Sequence, residues 1–259
     1  SIIYLREQNT ILFFNFVFQV FNDPESTLYR VIMCLSSIKD MLTPKDNFLY
    51  ESVVKNWTSD FMGEIRQPLK ECIYCFIHNC EISVRNISSS IFALIFALEI
   101  HPLNEDWLLI FQNLVNEFSN NEVPDFSKHG ILSFFHEIMI LPIFPEMKKR
   151  NDLLFIPNEF KRLLDQLIQN LNNPESNPKP IFDFSILTIL DLVHYVPIIF
   201  QSETQVNLLL ESYLHALPKA DPRQYQQLFE VLLEIISNSY DHVSAILPTV
   251  FDYSHKGIV

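Results

Sequence analysis

Phe21-Asn22-Asp23-Pro24-Glu25-Ser26 closes one apolar run, and Leu171-Asn172-Asn173-Pro174-Glu175-Ser176 closes another. Lys219-Ala220-Asp221-Pro222 is a looser third copy. In each, an apolar helix stops at Asn or Asp and Pro takes the first position of the next helix; in the first two copies Glu follows in its first turn. A joint of this kind that recurs predicts a chain of stacked helical hairpins. Such chains usually bind other proteins along their extended surfaces.

Helical periodicity extends outward from these joints. Leu28, Val31, Ile32, Leu35, Ile38 and Leu42 recur at three- and four-residue spacing. So do Leu163, Leu164, Leu167, Ile168 and Leu171, and again Leu228, Phe229, Leu232, Leu233 and Ile236. No run of strict two-residue alternation competes with this pattern. The spacing predicts helices at 10–21, 25–42, 48–80, 84–99, 104–119, 126–141, 155–171, 180–196, 203–217, 221–239 and 242–255, with 48–80 open to a split near Asp60. Paired, they give hairpins 10–42, 48–99, 104–141, 155–196 and 203–239, with partial repeats at 1–8 and 242–259. The turns inside hairpins fall near Pro24, Ile82, Pro124, Pro174 and Pro222, roughly 40–60 residues apart, close to the HEAT and armadillo period of about 40–47. The fold class is therefore all-α, a solenoid of antiparallel helical hairpins running from 1 to 259. A compact α-bundle shares the periodicity; the recurring joint favours the solenoid. Ile91-Phe92-Ala93-Leu94-Ile95-Phe96-Ala97-Leu98 is apolar all round, as a helix in the middle of a stack must be.

Composition narrows the function. The 259 residues include only three glycines, Gly63, Gly130 and Gly257, so the glycine-rich loops that cradle phosphates have no raw material here. Apolar residues make up 48% and Phe counts 23, which excludes a disordered chain. Eighteen basic against 31 acidic side chains give a net charge of −13. That charge repels nucleic acid and favours basic protein surfaces. The apolar runs fall far short of the ~20 residues of a membrane span, so no membrane insertion is expected. No cleavage-site pattern of a signal peptide follows the first apolar stretch, and both ends lie in helix-like sequence, as expected of a fragment.

Chemistry-bearing clusters are few. Cys72, Cys75, His78 and Cys80 have zinc-ligand residue types at short spacing. Helical periodicity through Ile73, Phe76 and Ile77 turns Cys80 away from Cys72 and Cys75. The expectation is buried structural cysteines and no metal or other cofactor. His136-Glu137 lacks the second histidine of a zincin, and no nucleophile elbow is present, so no enzyme is expected. Lys148-Lys149-Arg150 is the sole basic run and reads as a surface loop.

Three stretches then carry a resemblance. The first is Arg30-Val31 through Leu35, with Ile38-Lys39-Asp40-Met41-Leu42-Thr43-Pro44-Lys45-Asp46. The second is Trp57 with Ile65-Arg66-Gln67-Pro68-Leu69-Lys70. The third, and most specific, is Ala97-Leu98-Glu99-Ile100, then Asn104-Glu105-Asp106-Trp107, followed by Ile110, Leu114 and Val115. In this order they resemble the amino-terminal part of the importin-β (karyopherin-β) family of nuclear transport receptors. The likeness runs through nearly the whole chain.

The resemblance implies a right-handed superhelix of HEAT repeats, with A helices on the convex face and B helices on the concave face. It implies two partners. The small GTPase Ran, in its GTP form, would meet the early B helices, with Lys39 and Lys45 at matching positions. Phe-Gly nucleoporins would dock between neighbouring A helices, at Leu164, Ile168, Leu208 and Ile246. Leu208 and Ile246 depart from the family, which carries aromatics there, so ring stacking is lost and aliphatic contact remains. The adaptor importin-α would bind only further along the family's chain. Location in cytoplasm and nucleus and at the nuclear pore follows, as does protein import by exchange of bound partners. A transportin-type receptor and a HEAT scaffold of another multiprotein assembly remain alternatives.

Overall fold

The computed structural model describes residues 9–43, 47–99, 105–141, 156–173, 178–200, 202–244, 247–248 and 251–252. Among these, all regular structure is helical. In chain order the helices are α1 (Thr10–Asn22), α2 (Leu28–Leu42), α3 (Asn47–Thr58), α4 (Gly63–Ile77), α5 (Ile82–Glu99), α6 (Glu105–Ser119), α7 (Asp125–Ile140), α8 (Ile156–Asn172), α9 (Lys179–Tyr195), α10 (Glu203–Ala216) and α11 (Pro222–Val243). Short 3₁₀ turns occupy Asp60–Met62, Pro197–Phe200 and Leu217–Lys219. The predicted 48–80 helix is split where anticipated. Thr58 Oγ1 donates back to the Val54 carbonyl at 2.9 Å and Ser59 Oγ donates to that of Asn56 at 2.5 Å, hydroxyl competition that ends a helix. Half of the segment predicted as 242–255 lies outside the described residues, and α11 continues past its expected end at 239 to Val243.

The inner joints differ from the sequence reading in one respect. Proline is not their common feature. At the first joint α2 starts at Leu28, not near Pro24, because Thr27 is the N-cap and accepts from the Arg30 N–H. Asp23 instead holds the turn, accepting from the Glu25 N–H at 2.9 Å. Asn79 accepts from the Glu81 N–H at 2.8 Å, Asn120 from the Glu122 N–H at 2.9 Å and Asp221 from the Arg223 N–H at 3.0 Å. Four joints thus share an Asx turn, whose side chain copies a backbone turn without glycine. Among the described copies, the third, looser one obeys the proline rule: Pro222 is the first residue of α11. Asp221 and Gln224 cap each other reciprocally there, at 3.0 and 2.6 Å. In the second copy, residues 174–177 lie outside the described set.

The chain divides into two compact units, Ser1–Trp107 with Phe126–Phe144, and Leu108–Asp125 with Pro145–Val259. In the first, α1 pairs with α2 and α4 with α5, and α2 lies against α5. In the second, α8 pairs with α9 and α10 with α11, while α8 lies against α10 and α9 against α11. First helices stack on first helices and second on second, which is how hairpins with two apolar faces bury both.

Helix α5 is the core of the first unit. Ile91 through Leu98 are all buried, the outcome anticipated for an all-apolar helix. This helix is also long and apolar enough to cross a membrane, but 72% of it is buried inside the protein. Phe92 sits 5.0 Å from the Phe134 ring of α7 and 5.1 Å from Trp107. Ser89 Oγ donates to the Gly130 carbonyl at 3.1 Å. Gly130 is where α7 meets the end of α4: a Cβ built there would stand 1.7 Å from the Ile77 carbonyl oxygen. In an ordinary helix interior, Gly to Ala stabilises by about 1 kcal/mol. Here Gly130→Ala is expected to destabilise by at least about 2 kcal/mol, because backbone cannot yield as a side chain can. Urea unfolding of the variant checks the sign.

Candidate functional site

Both tryptophans of the chain point at one carboxylate. Glu99 ends α5, where Oε1 accepts from Trp57 Nε1 at 3.1 Å and Oε2 from Trp107 Nε1 at 3.1 Å. Lys70 of α4 pairs with Oε2 at 2.9 Å and lies 6.0 Å over the Trp107 ring. The indoles are buried and Glu99 and Lys70 nearly so, at 11% and 14% exposure of their side chains. Arg66 Nη1 adds a bond to the Trp57 carbonyl at 3.2 Å. The residues of the most specific sequence stretch, Glu99 and Trp107, are thus joined to those of the second, Trp57, Arg66 and Lys70. This is a four-group polar node inside an apolar stack, and it ties together α3, α4, α5 and the first turn of α6.

The second-helix face carries a different cluster. Arg85 of α5 is buried and donates to the carbonyls of Asn79 and Cys80 at 2.7 and 2.6 Å, which ties down the joint between α4 and α5. His129 of α7 is 3% exposed. Burial, with the Arg85 charge as the smaller cause, pushes its pKa down from 6.5 to about 4. Lys39 is half-buried in the last turn of α2, and its carbonyl accepts from both Thr43 N and Oγ1 at 2.9 and 2.7 Å. Lys45 and the Lys148-Lys149-Arg150 run lie outside the described residues.

In the second unit the first helices make a continuous seam. Arg162 of α8 reaches Asn116 of α6 at 2.6 Å and Glu159 at 2.8 Å, while Phe111 and Phe160 meet edge to face at 6.2 Å. On the far side α8 packs on α10. Leu164 is fully buried, Ile168 is 5% exposed and Leu208 of α10 is 42% exposed. Of these three side chains only that of Leu208 is exposed. Ile246 is outside the described residues. At the other end of the second helices, Lys179 bridges Asp183 and Asp221 at 3.3 and 2.9 Å, tying α9 to α11. The Asp221 hydrogen bond is the main reason the Lys179 pKa is raised, and Lys179 in turn lowers that of Asp221. Gln224 also donates to Asp183.

The cysteines correct one expectation. Cys34 is buried, and burial pushes its thiol up to about 11. Cys75 and Cys80, however, are exposed and Cys72 is only half-buried. The segment's apolar face is made by Leu69, Ile73 and Ile77, with the thiols turned outward. Among the described residues no group of three or more His, Cys, Asp or Glu side chains is placed to hold a metal ion. The Glu99 node was missed as a unit. Its signal was present: a lone carboxylate after eight apolar residues, and the chain's two indoles needing acceptors.

No protein-family model matches this chain, and no curated protein does. Solved structures do. Importin-β crystallised in an ammonium sulfate condition is similar over 96% of this chain, at 17% identity and a TM-score of 0.76. Yeast importin-β (Kap95p) is similar over 95%, at 17% identity and a TM-score of 0.74. The chain spans 27% of the length of each. The fold is thus that of the importin-β HEAT-repeat solenoid, as the sequence resemblance implied.

Two measurements check the clusters. Glu99→Ala leaves two buried indole N–H groups and a nearly buried ammonium without their acceptor, and is expected to cost about 3 kcal/mol of stability. Glu99→Gln, which keeps one acceptor, should cost less; denaturant melts of both decide. His129 stays neutral in the folded chain down to about pH 4, whereas the unfolded chain protonates near 6.5. Stability should therefore fall as pH drops from 6.5 toward 4, by up to about 3 kcal/mol, and level off below. Melts of His129→Gln across the same range should be flatter by that amount.

Proposed function

We propose that this chain is part of a karyopherin-type nuclear transport receptor that works by binding and not by catalysis. The observation that carries the proposal is the match to importin-β over nearly the whole chain, together with the motif residues converging on Glu99. In this proposal the second helices of the early repeats, α2, α5 and α7, meet Ran in its GTP form, with Lys39 and Lys45 contributing positive charge. Phe-Gly nucleoporins dock on the first helices at the α8–α10 seam, where Leu208 is the accessible contact and Leu164 and Ile168 form its apolar floor. Ile246 would begin the next seam. A single Phe side chain in a shallow aliphatic slot binds weakly, and useful affinity comes from several slots engaged by one flexible chain. Ran-GTP binding would shift the curvature of the stack and release cargo held by parts of the receptor beyond this chain. The importin-α adaptor would bind there too, and the receptor would shuttle between cytoplasm and nucleus through the nuclear pore.

The test separates the two faces. Leu208→Asp alters an exposed side chain and is expected to weaken binding of a Phe-Gly repeat peptide by about 3- to 10-fold with GTP-loaded Ran unaffected. Lys39→Glu should do the reverse. Ile168 is a poor probe because an aspartate there would be buried and would break the stack. Absence of binding of GTP-loaded Ran to the folded wild-type chain at micromolar concentration would overturn the proposal and favour a scaffold role.

A further inference from the structure

Exposed apolar side chains recur at one place in successive repeats of the first unit. Leu28 and Tyr29 open α2 and are 45% and 71% exposed; Ile82 opens α5 at 52%; Phe126 lies in the first turn of α7 at 39%. Two sets of contacts put these positions side by side. Phe21 and Phe76, each one residue before the end of its helix, meet at 4.8 Å, so the joint before α2 lies beside the joint before α5. Arg85 acts on His129, and the Ile77 carbonyl abuts Gly130, so α5 and α7 run in register there. Ile82 lies one turn before Arg85, and Phe126 one turn before His129. The apolar residues therefore form a row along the edge of the stack, not a scatter of single surface positions.

Carboxylates predominate beside the row, against two cations, the exposed Arg30 next to Tyr29 and Lys128 two residues after Phe126. The joints at 22–27 and 78–81 contain Asp23, Glu25 and Glu81 and no lysine or arginine. Asx turns hold Glu25 and Glu81 at equivalent places. Arg85, the nearest guanidinium of the second joint, is turned inward onto the Asn79 and Cys80 carbonyls. Spacing adds a further constraint. Packed helices lie about 8–10 Å apart. A polyproline II segment rises about 3.1 Å per residue with three residues per turn, so one of its faces repeats about every 9 Å. An occupant with an apolar residue at every third position matches the row, and basic residues between them match the carboxylates.

We propose that the joint edge of α2, α5 and α7 is a docking strip for an extended, proline-containing basic segment of another protein, with an apolar side chain at every third position. The strip uses the amino-terminal ends of the same helices that the proposed function gives to Ran, and none of the helices of the Phe-Gly seam. The probe is a fluorescent peptide about ten residues long with leucine at every third position and lysine and proline between, a length that spans three helices. Anisotropy titration should give binding that weakens with salt. A peptide of the same composition with leucine at every second position should bind at least about 10-fold more weakly. Ile82→Ser and Phe126→Ser change exposed side chains and should each weaken binding about 5- to 10-fold, and Glu25→Lys with Glu81→Lys should abolish its salt dependence. Circular dichroism confirms that each variant is folded. Three results overturn the proposal: no binding by the wild type, equal binding of both peptides, or binding unchanged by Ile82→Ser and Phe126→Ser, which would move the peptide to another acidic surface. Concentration-dependent self-association abolished by Ile82→Ser would assign the strip to a second copy of this chain instead. Wild-type chain that binds GTP-loaded Ran but not the peptide would sink the strip and leave the transport role standing, so failure here and failure of the transport role are separate outcomes.

Discussion

Helix α5 is apolar on every side, and the first unit is arranged around satisfying it. A helix with a single apolar stripe can rest on one neighbour. Ile91 through Leu98 instead require cover all round, and α2, α4 and α7 supply it. Each fully buried large aliphatic or aromatic side chain contributes about 1.5–3 kcal/mol, so this helix holds much of the unit's stability. Close cover demands close approach, which is why a glycine stands at 130, where α7 crosses the Ile77 carbonyl. Close approach also leaves helix ends buried, and Arg85 and Glu99 are the polar answers at the two ends of α5. Arg85 holds the joint between α4 and α5, and Glu99 gathers two indoles and an ammonium.

Local pattern carried the helices, because burial on one face leaves a three- and four-residue signature that needs no partner to be visible. The split near Asp60 was legible for a related reason: Thr58 and Ser59 bond to their own backbone, an interaction confined to a few residues. Among the described joints, the chemistry differs from the sequence reading. Proline drew the eye at Pro24, yet Asp23 and Thr27 set the turn and the start of α2. The shared device is an Asx residue two positions before the backbone N–H that it holds. Asn79 and Asn120 carry it without any proline in the same position. Cysteine burial was misjudged because type statistics say nothing of which face of α4 turns inward.

Candidate site residues were less legible, since a docking surface depends on exposure and exposure depends on neighbours distant in sequence. Leu164, Ile168 and Leu208 are all aliphatic in the sequence; only the packing of the folded chain shows the first two buried and the third exposed. The Glu99 node needed contacts across 42 residues to Trp57 and 29 to Lys70, beyond any local pattern. Here similarity to importin-β and the physics of the chain meet. The stretch that carries the resemblance is the one whose side chains join four helices, α3, α4, α5 and the start of α6.

If the chain is a two-faced receptor, its partners must register on different helices. Hydrogen-exchange mass spectrometry of the folded chain, alone and with GTP-loaded Ran or a Phe-Gly repeat peptide, reads this directly. The account predicts slowed exchange in α2, α5 and α7 with Ran and in α8 and α10 with the peptide. Protection of the same helices by both, or of none by Ran, would contradict it.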